Sequence, residues 1–212
     1  PFYSPVVSML LGSPLSTIQQ DTLASGPAPG SIDLGSLAQI VSAGGWHTSL
    51  VLLNSNSSPA HARLSFFADS TAAPLRLPFT FPQQPLSSIV TSAVDSVLGP
   101  NAVFMLNTTG PSSSLTDIAR ARLTGMTSVA GFGIFGNATR KWEAAIPLEV
   151  RAARRYILAF DNTNGVATGL ALANLALSEK RIPVIVRDDA GVLITNAVID
   201  LPALGHTSFM LG

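Results

Sequence analysis

Thr48-Ser49-Leu50-Val51-Leu52-Leu53-Asn54, followed closely by Ala62-Arg63-Leu64-Ser65-Phe66, sets out the fold of this chain in miniature. Leu50 and Leu52 alternate along the first run, and Ala62, Leu64 and Phe66 along the second. A period of two places such residues on one face of an extended backbone. The first run stops in Asn54-Ser55-Asn56-Ser57-Ser58-Pro59, residues that favour turns because their side chains bond their own backbone or fix φ. The same pattern recurs at Leu75–Phe79, Ser88–Thr91, Val103–Asn107, Ala119–Leu123, Val129–Phe135, Ala144–Leu148, Tyr156–Phe160, Gly169–Asn174, Ile182–Arg187, Leu193–Ile199 and Thr207–Leu211. Turns separate these segments at roughly 8–14 residues, the spacing of sandwiches and barrels. No long helical periodicity competes with it. The expectation is an all-β chain forming an antiparallel β-sandwich.

The chain also repeats itself. A shift of 120 residues lays Leu37–Val90 over Ile157–Met210 without a gap and gives nine identities in 54 positions. Gly45 meets Gly165, Thr48 meets Thr168, Leu50 meets Leu170, Leu52 meets Leu172 and Asn54 meets Asn174. Ser58 with Ser178, Asp69 with Asp189, Pro82 with Pro202 and Ser88 with Ser208 complete the set. Two related units of four to five strands are expected, with no counterpart of residues 91–150 in the second. A half-sandwich leaves an apolar face or edge to be covered. Either the middle strands (103–148) complete both units, or a strand from elsewhere completes the second.

Residues 1–36 differ from the rest. Ala24-Ser25-Gly26-Pro27-Ala28-Pro29-Gly30-Ser31 has linker composition. Ahead of it, Pro5-Val6-Val7-Ser8-Met9-Leu10-Leu11 is a short apolar segment on that tether. The expected organisation is therefore a 1–36 extension, a 37–150 β-unit with the middle strands, and a 151–212 β-unit that either stands apart or packs with the first.

The chain has 12 basic and 12 acidic residues and no cysteine, and 47% of it is hydrophobic. Zero net charge argues against nucleic-acid binding, which needs a phosphate-neutralising excess of Lys and Arg. Without cysteine there is no disulfide framework and no zinc–thiolate site. No apolar run approaches the ~20 residues of a spanning helix. A first residue of Pro1 and few charges point to a processed, exported chain whose signal peptide is gone.

An ordered set of motifs runs through residues 37–212. It comprises Ala43-Gly44-Gly45-Trp46-His47-Thr48, Gly131-Phe132-Gly133-Ile134-Phe135, Glu143-Ala144-Ala145-Ile146-Pro147-Leu148, Phe160-Asp161-Asn162-Thr163-Asn164-Gly165 and Leu201-Pro202-Ala203-Leu204-Gly205-His206-Thr207. The series resembles a poorly characterised β-rich domain of exported proteins from soil bacteria, especially Acidobacteria. That resemblance implies a secreted, immunoglobulin-like β protein and carries no catalytic residues with it.

Candidate chemistry is sparse. His47, His61 and His206 show no metal-ligand spacing and read as surface or turn residues. There is no Gly-x-Ser-x-Gly elbow, so no catalytic residue and no enzyme is expected. Asp161–Gly165 and Asp188-Asp189-Ala190-Gly191 read as tight turns rather than metal sites, and no cofactor is expected. Arg140, Lys141, Arg151, Arg154 and Arg155 form a solvated or intersubunit basic stretch. Trp46 and Trp142 are candidates for an interface anchor or for stacking on a sugar ring.

The function expected is a structural subunit of an extracellular filament or surface layer, with copies of itself as partner. Assembly would run head-to-tail, Val6, Val7, Met9, Leu10 and Leu11 serving as donor strand. The alternatives are a cell-surface carbohydrate-binding or adhesion module, with surface glycans as partner, and a viral capsid jelly roll.

Overall fold

The computed structural model describes residues 29–69, 73–110, 117–151 and 155–211. The donor-strand candidates Val6, Val7, Met9, Leu10 and Leu11 lie outside the described residues. Ten strands build the first unit: β1 (Ile32–Ser42), β2 (Trp46–Leu53), β3 (Ala60–Ala68), β4 (Leu77–Phe81), β5 (Gln84–Thr91), β6 (Ala93–Leu98), β7 (Val103–Thr108), β8 (Asp117–Gly125), β9 (Ala130–Asn137) and β10 (Trp142–Pro147). Four more, β11 (Gly169–Ala173), β12 (Lys180–Arg187), β13 (Leu193–Leu201) and β14 (His206–Met210), form the second. The chain is all-β, its strand ladders are antiparallel, and no helix is present among the described residues. None is therefore available to cross a membrane.

The first unit is a sandwich. One sheet has the order β1-β8-β3-β6 and the other β10-β9-β2-β7-β4-β5. The alternating residues that mark the strands in sequence meet between the sheets: Leu50 and Leu52 of β2 and Leu64 and Phe66 of β3 are all buried. Phe66 lies against Phe79 of the opposite sheet with ring centroids 4.6 Å apart. At roughly 1.5–3 kcal/mol for each large apolar side chain removed from water, these residues dominate the stability of the unit. β1 begins at Ile32, inside the stretch whose composition reads as an extension. Its inward residues Leu37 and Ile40 are brought into line by an irregularity in the β1–β8 ladder.

The second unit holds two separate two-stranded ladders, β11–β14 and β12–β13. They reproduce β2–β7 and β3–β6 pair for pair. Leu50↔Leu106 corresponds to Leu170↔Phe209, and Ala60↔Leu98 to Lys180↔Leu201. The repeat is thus structural, but the gapless 120-residue shift is not. The offset is 120 at Ala60/Lys180 and 103 at Leu98/Leu201. The hairpin β4–β5 lies in the first unit, and in the second a short loop joins β12 directly to β13. Pro82/Pro202 and Ser88/Ser208, which lie beyond the start of that hairpin, are therefore coincidences of alignment. Among the described residues counterparts are lacking for β4–β5 and for β8–β10, whereas β6 and β7 have theirs in β13 and β14. The middle strands β8–β10 complete the first unit alone.

Candidate assembly site

Two side-chain devices recur in both units and define what the second unit lacks. The hydroxyl of Thr48 accepts from the Val41 amide (2.9 Å) and donates to the Val41 carbonyl (2.8 Å). Thr168 does the same with Asp161, at 2.9 Å each way. Between each pair lies a tight turn with φ +82° at Gly45 or Gly165, preceded by a second positive φ at Gly44 or Asn164. Asp161 Oδ1 accepts from the amide and hydroxyl of Thr163, which lowers the Asp161 pKa. The Asp161–Gly165 run is thus a turn that ties itself together. The Asp188–Gly191 run is likewise the β12–β13 hairpin loop, closed by Gly191 N–H on the Asp188 carbonyl.

At the other end of β2, the Asn54 amide donates to the carbonyls of Ser58, Leu98 and Gly99, and its Oδ1 accepts from the Asn56 amide. Asn174 repeats this with Ser178, Leu201 and Pro202, and with Ala176. Each asparagine ties the end of one ladder to the end of the other. The two ladders of the second unit are therefore held as in the first, without the strands that close the first.

What closes the first unit is known residue by residue. β8 runs between β1 and β3, with Ala121 beside both Leu37 and Phe66. β9 covers the free edge of β2 over its full length, from Trp46↔Asn137 to Leu53↔Ala130. In the second unit the matching edges of β12 and β11 have no strand neighbour among the described residues. Residues 155–160, the counterpart of residues 35–40 in β1, form no strand. Sequence alternation predicts a strand at Tyr156–Phe160. The physical reason is that the β8 that pairs with β1 has no counterpart here among the described residues. Ile157 is 87% and Phe160 41% exposed, against 1% for Leu37 and 0% for Ile40. Leu158, Ile185 and Phe209 are exposed as well.

The units meet through polar contacts that sequence reasoning did not find. Arg120 of β8 donates through Nε (3.2 Å) and Nη2 (3.0 Å) to the Leu204 carbonyl. Its guanidinium lies 4.5 Å from the centroid of the Phe67 ring. Burial, and then the neighbouring Arg122, lower its pKa. A crevice of about 370 Å³ opens beside it, lined by Asp33, Phe67, Arg122, Leu175 and Leu177. Nearby, His206 Nδ1 pairs with Asp69. His206 is therefore buried at the junction, not at the surface as its sequence context suggests, because β14 carries it under the first unit. His47 is exposed and His61 half-buried.

Trp46 and Trp142, distant in sequence, come together. Their ring centroids lie 6.1 Å apart at 49°, and Phe135 lies 6.0 Å from Trp46. Arg140 covers the Trp142 ring at 4.9 Å. In the basic stretch, Arg151 pairs with Glu149 at 2.8 Å, and that hydrogen bond holds the Glu149 carboxyl down at about 2. Arg154 lies outside the described residues. Among the described residues no group of three or more His, Asp or Glu gathers as metal ligands. No family model matches the sequence, and no curated protein or solved structure matches it either.

Proposed function

We propose that this chain is a structural, non-enzymatic subunit of an extracellular filament or surface layer, assembling head-to-tail by strand complementation. One observation carries the reading. Among the described residues the second unit keeps both ladders of the first but has no strands that cover them, and so strand edges and apolar side chains are left exposed. Exposed edges and apolar patches of this kind are sites of association with another chain. The Pro5–Leu11 segment, set on a Pro/Gly tether, is the donor in this proposal. A contact between different surfaces of identical molecules propagates into a filament unless the rotation closes. The small number of charges suits a surface that faces neighbouring copies. The resemblance to exported bacterial β domains supports an extracellular setting.

Electron microscopy of the full chain and of a chain lacking residues 1–12 tests this. Fibres from the first and folded monomers from the second are expected. Identical fibres from both would exclude the donor role, and closed shells would favour a capsid. A second reading, glycan binding, has the clustered Trp46 and Trp142 in its favour. Saturable binding of the monomer to a glycan array, lost in Trp142→Ala, would support it.

A further inference from the structure

We infer that the acceptor on this molecule is the place that β8 takes in the first unit, between residues 155–160 and β12, and that its occupant is Pro5–Leu11 of a second copy. The inference rests on the assembly reading above and adds the slot, the register and the contacts. In the first unit β8 points Ala119, Ala121 and Leu123 into the core at every second position. Val7, Met9 and Leu11 have the same spacing. Laid in the register of β8, Leu11 falls opposite Val184 as Leu123 does opposite Leu64, and Met9 opposite Val186 as Ala121 does opposite Phe66.

Side-chain volumes follow this register. The first unit sets a large Phe66 against a small Ala121, and the second would set a small Val186 against a large Met9. Phe66 also has Phe79 of β4 against it, and among the described residues the second unit has no counterpart of β4. On the other side of the slot, Ile157 and Phe160 hold the positions of Leu37 and Ile40, which flank Ala121 and Ala119. They would meet Met9 and Val7. Ile157, the most exposed apolar residue of the segment, is thus one that the incoming strand covers.

The backbone is compatible as well. The Asp188 amide donates to Val192 on the β13 side. Alternation along β12 therefore turns the amides of Ile185 and Arg187 toward the open edge. Pro183 has no N–H to offer there. It falls opposite Gly12, one residue past the apolar run, so the ladder needs no donor from it. Val184 and Val186 become members of closely spaced, non-hydrogen-bonded pairs, Cα to Cα about 4.5 Å across the slot.

That spacing suits a cross-strand disulfide, and the chain has no cysteine of its own. The test is a chain carrying Met9→Cys and Val186→Cys, oxidised during assembly and run on a non-reducing gel. A second chain carries Leu11→Cys and Val184→Cys, in case the first pair disturbs folding. A one-residue slip, Ser8→Cys with Val186→Cys, serves as control. A ladder of covalent multimers from both matched pairs, absent from the slipped pair, is the expected result. Fibres with no ladder, or with a ladder only from the slipped pair, would overturn the slot and leave the assembly reading standing. A cross-link confined within monomers would make the occupant the chain's own segment and overturn the inference. Absence of assembly in the unsubstituted chain would overturn both.

Discussion

Replacing Asn54 by alanine tests the physical basis of the repeat. The side chain is 1% exposed and holds three carbonyls and the Asn56 amide, at distances between 2.8 and 3.1 Å. Its two N–H groups and one oxygen satisfy about three bonds at a time, each worth about 1 kcal/mol net. Asn54→Ala should therefore cost about 3 kcal/mol. With a urea slope of about 2 kcal/mol per molar, the unfolding midpoint should fall by about 1.5 M. Both tryptophans, Trp46 and Trp142, sit in the first unit, so their fluorescence reports that unit. Asn174→Ala removes the equivalent clamp from the second unit and should leave this transition within about 0.5 kcal/mol of the parent, as expected for distant sites. A loss below about 1 kcal/mol for Asn54→Ala would refute the clamp. An equal shift from Asn174→Ala would refute the independence of the two units, because they would then unfold as one body.

Arg120→Ala should unfasten the junction, since it strands the Leu204 carbonyl and removes the Phe67 contact. A charged hydrogen bond worth about 2 kcal/mol corresponds to a roughly thirty-fold rise in junction opening, read as faster tryptic cleavage at Arg155. The Glu149 carboxyl, held at about 2 chiefly by the Arg151 side chain, should titrate higher by carbon NMR in Arg151→Ala, yet stay below 4.5 because the amides of residues 150 and 151 still donate to it. Because the folded value lies below the unfolded one, the pair stabilises above pH 4.5 and loses its effect as pH falls toward 2. Both side chains reach solvent, so the effect on stability is small.

Much of the architecture was legible in the sequence, because period-two patterning follows directly from which face a residue is on. Leu50, Leu52, Leu64 and Phe66 read correctly as inward positions for that reason. Ala93–Leu98 escaped notice because Asp95 and Ser96 interrupt its apolar pattern, and β6 is held by pairing with β3. Tyr156–Phe160 erred the other way. Its alternation is genuine, but a strand exists only beside a neighbour, and a sequence pattern does not say whether the neighbour is present. The repeat was visible through Asn54/Asn174 and broke where the β4–β5 hairpin intervenes, a change of spacing that a gapless comparison cannot follow. Arg120, Asp69 and His206 were missed because their partners lie far off along the chain, and no local motif signals an inter-unit contact.

In the proposed assembly the second unit is an incomplete copy of the first, closed by a strand from another molecule. Hydrogen exchange at the amides of residues 155–160 and of Ile185 and Arg187, in assembled full chain and in chain lacking residues 1–12, tests it most directly. These amides should exchange fast in the truncated chain and become protected in the assembled one, while β2 and β3 stay protected in both. Equal exchange at these amides in the two samples, fast or slow, would contradict it.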